Sequence, residues 1–186
     1  TVQVRVRASE ANVARNAAST NTIGSGTVTT AEGVTTTANI SGSVTVQTGA
    51  RVDKAFSPGT VTVGGGSTLT LTLRNYNLTA ISPADLVDAM PAGITVVGPV
   101  TTTCGGTTAF TATQVQLTGG TIPAASSATT NDNGSCTITA TVQGTTIGSW
   151  NNTSPTGAFG PVAYSTGNAT LVVNPAATAV SASKAF

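Results

Sequence analysis

The tripeptide Lys-Ala-Phe stands twice in this chain, at Lys54-Ala55-Phe56 and at Lys184-Ala185-Phe186, 130 residues apart. That offset is an ordinary domain length. The text before each copy corresponds as well: Asn21-Thr22-Ile23 lies 33 residues before Lys54, and Asn152-Thr153-Ser154 lies 32 before Lys184. Ser43-Val44-Thr45-Val46 and Thr170-Leu171-Val172-Val173 hold matching places. Self-similarity at a fixed period constrains an architecture more than any single motif does. The chain reads as a window on a tandem array. Residues 1–53 are the C-terminal part of a preceding repeat, 54–183 a complete repeat, and 184–186 the start of the first strand of the next.

Each repeat is expected to be a β domain. Thr, Ser, Gly, Ala and Val dominate, and aromatics are only 4%. This favours strands and turns over helices. Candidate strands run at short intervals: 2–7, 34–38, 43–47, 50–56, 60–63, 68–73, 94–97, 107–112, 114–118, 136–142, 162–164, 169–173 and 178–181. Thr68-Leu69-Thr70-Leu71-Thr72-Leu73 is the cleanest, with leucines on one face and threonines on the other. Turn chemistry separates them at Ser57-Pro58-Gly59, Gly64-Gly65-Gly66, Gly119-Gly120 and Asn174-Pro175. One helix is predicted, over Ser82–Met90, with Ser82 as cap, Pro83 in the first turn and Pro91 as stop. Many short strands with such turns predict an all-β, immunoglobulin-like β-sandwich in tandem copies. About 130 residues suffice to bury one core of that kind.

Charge narrows the function. Only 7% of residues are charged and the net charge is +1. No electrostatic footprint for nucleic acid or an anionic membrane results. Histidine is absent, which removes the usual general base and the commonest metal ligand together. The reading is therefore not an enzyme, with no cofactor and no metal site. No apolar run reaches the roughly 20 residues that span a bilayer. Thr and Ser hydroxyls supply the polar surface, which suits an extracellular or cell-surface location. Cys104 and Cys136 are the only cysteines. In such a chain they are read as a disulfide formed in an oxidising compartment, the alternative being two buried thiols.

Several motifs occur in a fixed order. Lys54-Ala55-Phe56-Ser57-Pro58 is followed by Val63-Gly64, Leu73-Arg74-Asn75 and Asp88-Ala89-Met90-Pro91-Ala92-Gly93. Then come Cys104-Gly105-Gly106, Leu117-Thr118-Gly119-Gly120-Thr121-Ile122-Pro123, Ser135-Cys136-Thr137-Ile138 and Gly148-Ser149-Trp150-Asn151-Asn152-Thr153. This set resembles a family of bacterial cell-surface repeats, the conserved domain of unknown function number eleven. Met90 stands where that family has Leu, and Trp150 where it has Tyr. The resemblance covers residues 54–183. It implies an immunoglobulin-like fold and a large exported surface or filament protein.

Lys54, Asp88 and Asn152 form the sharpest chemical constellation. Some bacterial surface sandwiches join a first-strand lysine to a last-strand asparagine by an isopeptide bond, assisted by a buried acid. Burial would free the amine of Lys54, and a protonated carboxyl of Asp88, or of Asp85, would polarise the amide. The plain alternative is a snorkelling lysine and two turn-bonding polar side chains. Asn131-Asp132-Asn133-Gly134-Ser135 looks like a calcium loop but lacks the distal glutamate, and is expected to be a hairpin turn. Gly64-Gly65-Gly66 is a turn, not a phosphate loop. Asn39, Asn77, Asn151, Asn152 and Asn168 fit Asn-x-Ser/Thr. Arg5, Arg7 and Arg15 form the only basic cluster, with Arg5 and Arg7 on a solvated strand face.

The expected function is structural: a subunit or repeat of a bacterial filament, stalk or long surface adhesin. Its partners would be copies of itself or adjacent repeats of the same chain, joined in tandem or by strand complementation. The rival is an adhesin module that recognises glycan or host protein through its loops.

Overall fold

The computed structural model describes residues 18–45, 47–127, 132–153 and 155–176. The chain divides into two compact units, Thr1–Thr48 and Gly49–Phe186. The second Lys-Ala-Phe, the arginine cluster and the strands expected at 2–7 and 178–181 lie outside the described residues.

The first unit holds an antiparallel pair, β1 (Ala18–Ile23) and β2 (Ile40–Thr45), with Ile23 opposite Ile40. Between them, the segment expected as a strand at 34–38 makes only an isolated bridge, Thr35 to Thr29. Gly33, at φ +81, closes its turn by donating to the Thr30 carbonyl.

The second unit is all β among its described residues. Its strands are β3 (Ala50–Ser57), β4 (Thr60–Thr62), β5 (Gly66–Asn75), β6 (Ile81–Ala89), β7 (Ile94–Thr102), β8 (Thr107–Thr111) and β9 (Gln114–Ile122). β10 (Gly134–Gly144), β11 (Gly148–Asn152), β12 (Thr156–Phe159), β13 (Tyr164–Thr166) and β14 (Ala169–Asn174) complete it. One sheet has the order β13-β3-β5-β10-β7, the second β12-β6-β9-β8, and a short third β11-β14-β4. In the first sheet the two opening strands lie beside a late strand and then an earlier one. That is the A-B-E-D arrangement of an immunoglobulin-like sandwich.

The alternation read in the sequence decides which residues form the core. Leu69, Leu71 and Leu73 of β5 are buried, and so are Cys136, Ile138, Ala140 and Val142 of β10 beside them. Leu86, Val115, Leu117 and Ile122 close the core from the second sheet. Phe159 is buried edge-on to Tyr164, with ring centroids 4.6 Å apart.

Two expectations are corrected. Ser82–Met90 is not a helix: residues 81–89 form β6. Ala84, Leu86 and Asp88 are buried in alternation, a period of two. Ser82 and the prolines imitate local helix signals. The absent N–H of Pro83 falls where the β6–β9 register shifts, between Ile81 and Ala84, so the ladder loses nothing there. The segment around Asp132 is not a tight hairpin either. It ends the connection from β9 to β10, strands of different sheets, so the chain must cross the sandwich. Asp132 accepts hydrogen bonds from Ser126 and Ser127 within that connection.

Asn75, in the Leu-Arg-Asn motif, has a structural task. It is fully buried, and its amide donates to the carbonyls of Thr79 (2.8 Å) and Pro123 (3.0 Å). Its Oδ1 accepts from the backbone and side chain of Asn77. One side chain thus ties the β5–β6 connection to the start of the β9–β10 connection.

Candidate functional site: a buried lysine, acid and amide

Three strands from three sheets bring Lys54, Asp88 and Asn152 together. On β3, Ala50, Val52, Lys54 and Phe56 share the inward face. Lys54 therefore occupies a core position, opposite Leu71 of β5. Asp88 continues the buried row Ala84–Leu86 of β6. Asn152 is the buried last residue of β11.

The side chains of Lys54 and Asp88 are both 0% exposed, and Lys54 Nζ lies 2.5 Å from Asp88 Oδ1. The other carboxyl oxygen, Oδ2, lies 2.9 Å from Asn152 Nδ2. Lys54 Nζ also donates to the Thr153 carbonyl at 2.6 Å, one residue beyond Asn152. Met90 Sδ stands 3.6 Å from Asn152 Nδ2. Among the described residues, Asn152 Oδ1 is the buried side-chain polar atom with no hydrogen-bond partner.

Burial dominates the electrostatics. It pushes the Lys54 ammonium down and the Asp88 carboxyl up from their ordinary values, and their mutual attraction opposes both shifts only in part. The drift is toward a neutral amine beside a neutral acid. Asp53, on the outer face of the same strand, goes the other way. Part burial raises it, but hydrogen bonds from Arg74 and Arg51, and then their charges, outweigh that and hold it low.

Asp85, the alternative acid, is not in this cluster. It faces away and accepts from the Gly119 N–H at 2.7 Å. Nothing in the sequence spacing pointed to the Thr153 carbonyl or to Met90. The arginine-flanked Asp53 was also missed, although Arg51↔Arg74 is a cross-strand pair of β3 and β5. Of the Asn-x-Ser/Thr sites, Asn77 and Asn152 are buried and closed to a glycan in the folded chain. Cys104 and Cys136 are bonded, with Cα atoms 5.0 Å apart.

The cluster continues into a second contact. Gly93 lies under the Trp150 ring so closely that an added Cβ would stand 1.9 Å from Cε2. Trp150 Nε1 donates to the Thr146 carbonyl at 2.7 Å, which pins the ring there. The Asp88–Gly93 and Gly148–Thr153 motifs thus meet twice, at Asp88–Asn152 and at Gly93–Trp150.

A family model described as "Domain of unknown function (DUF7933)" matches residues 50–173. The chain belongs to the DUF7933 family. The DUF7933 match begins with β3 and ends in β14, so it contains all three residues of the cluster. The likeness to domain of unknown function number eleven rests on the motifs quoted above alone. None of the curated proteins matches the chain. Two solved structures are similar to it at 12% identity. One is a non-cellulosomal cohesin from the hyperthermophilic archaeon Archaeoglobus fulgidus, TM-score 0.45, covering 67% of this chain and 91% of that one. The other is the third cohesin of ScaC from Acetivibrio cellulolyticus, solved with the ScaB dockerin, TM-score 0.47, covering 67% and 99%. At these values the likeness assigns no partner to the DUF7933 domain.

Gly93→Ala is expected to lower stability by about 1–3 kcal/mol, because the ring or the turn must move. Trp150 is the sole tryptophan. Its fluorescence should shift to the red in that variant, and an unchanged emission maximum would contradict the contact.

Proposed function

We propose that the chain is a non-enzymatic structural module of an extracellular filament, stalk or long surface protein, built to carry tension along the polypeptide. The observation that carries this is the pairing of the unit's first two strands with its last two described strands. β4 pairs in parallel with β14, Thr60↔Val172 to Thr62↔Asn174, and β13 pairs in parallel with β3. Flanking backbone bonds extend the seam: Val63 N to Asn174 O, Val172 N to Gly59 O, and Ala50 N to Ala163 O.

In a parallel pair, pulling the chain by its two ends drags the strands past each other along their length. The ladder bonds are then loaded together rather than one at a time. The scarcity of charge and the absence of histidine fit a scaffold better than a catalyst, and the cysteine pair fits an oxidising exterior. Three aromatic side chains that a loop-binding module could display have places inside the fold, Phe159 and Tyr164 against the core and Trp150 on Gly93, while Phe110 is exposed on strand β8 rather than in a loop. Copies of itself or adjacent repeats are the proposed partners.

Single-molecule pulling on the full chain from its two termini tests the reading. The expected record is one abrupt rupture at high force. Gradual peeling at low force would contradict a tension-bearing role.

A further inference from the structure

We propose that Lys54 and Asn152 join in an intramolecular amide bond, formed by the folded chain itself with Asp88 as the proton-transfer group. The inference stands on side-chain geometry and would hold whatever the domain's biological role.

An uncharged lysine amine is a competent nucleophile, and a primary amide is a poor electrophile until its oxygen is hydrogen-bonded or protonated. The cluster supplies both conditions at one point. Lys54 Nζ rests on one oxygen of Asp88 and the Asn152 amide on the other, at 2.5 and 2.9 Å. The amine is further drawn to the Asn152–Thr153 segment by its 2.6 Å bond to the Thr153 carbonyl. All three side chains are sealed from water, so hydrolysis does not compete. The 2.9 Å contact serves either amide orientation. The NH2 donates to a carboxylate, or, turned over, the carbonyl accepts the proton of the neutral acid. The second orientation also gives a partner to the amide oxygen that otherwise has none.

The step balances without any further reactant. Proton transfer from the ammonium to the carboxylate gives a neutral amine and acid. The Nζ lone pair attacks Asn152 Cγ while the Asp88 carboxyl donates to the amide oxygen. Asp88 then carries a proton from Nζ to the departing nitrogen and takes back the oxygen's proton as the carbonyl re-forms. The Cγ–Nδ2 bond breaks, the Nζ–Cγ bond forms, and one ammonia leaves. Nothing is oxidised or reduced.

The test is the intact mass of the purified full chain, reduced and denatured, followed by peptide mapping. The expected mass lies one ammonia below that of the sequence, with a branched peptide joining Lys54 to Asn152. Asp88→Asn is expected to keep the full sequence mass while its circular dichroism matches the unsubstituted chain. An unsubstituted folded chain at full sequence mass overturns the proposal. So does an ammonia loss that maps to Asn133-Gly134, where a succinimide would weigh the same. A folded Asp88→Asn chain that cross-links to the same extent overturns the part given to Asp88. Where that variant fails to fold, the map of the unsubstituted chain decides alone.

Discussion

Lys54→Met is expected to lower the unfolding free energy by about 3–5 kcal/mol at neutral pH, the usual result of leaving half of a buried pair. It should also make stability depend on pH in a way the pair does not. Where the pair is not joined to Asn152, as in Asn152→Ala, the two groups share one proton in the fold, as ammonium with carboxylate or as amine with acid. The unfolded chain near neutrality also carries one proton on them, so the pair contributes almost no pH slope between the ordinary carboxyl and amine ranges.

Remove the lysine, and Asp88 is left fully buried with its carboxyl raised by burial. The folded state then holds a proton that the unfolded state releases above the ordinary carboxyl range. Stability is greatest below that range and falls as pH rises, by up to about 1.4 kcal/mol per unit, until the raised value is passed. Denaturant titrations of Lys54→Met from acid to neutral pH check this. Asn152→Ala, which keeps Lys54 against Asp88, should show no such added slope. A flat profile in Lys54→Met would mean that Asp88 finds water or another cation.

Loss of the disulfide is the second large effect. Cys104 follows β7 and Cys136 lies in β10, 32 positions apart. Opening a loop of that length should cost ~3.7 kcal/mol on the chain-entropy account. For a domain of this size that is on the order of 10 °C in Tm. Both sulfurs lie in the core cluster, so replacement by alanine adds a cavity cost to that of the lost bond. Thermal unfolding of the Cys104→Ala, Cys136→Ala chain, compared with the oxidised parent, measures it. A shift of only a degree or two would contradict the loop argument.

How far the sequence could be read depended on whether the signal was local. The Thr68–Leu73 alternation needs no partner to be seen, and β5 runs through it from Gly66 to Asn75. β6 was hidden because one of its inward positions is an aspartate. Asp88 breaks the apolar period, and only a lysine 34 residues earlier makes its burial tolerable. Lys54 is hidden in the same way on β3. The triad was legible through resemblance of motifs, and its geometry was not. Asp53 and its arginines follow from a register no local pattern states. The crossing of β9 to β10 between sheets was lost for the same reason. Turn residues mark where the chain bends, not which sheet it joins next.

The outward threonines of β5 have their counterparts on β10, with Thr70 opposite Thr139 and Thr72 opposite Thr137. Thr139 meets Thr101 of β7 through hydroxyls 2.7 Å apart, and Thr137 meets Thr103 at 3.3 Å. Around these threonines the outer face of the large sheet is wetted by hydroxyl groups, and its ions are gathered in the Arg51–Asp53–Arg74 group. Hydroxyls do not titrate between acid and alkali, and dissolved salt has no charge there to screen. This threonine patch should keep the same hydration in fresh water, brine or an acidified medium, a tolerance that a lysine- and glutamate-coated surface lacks.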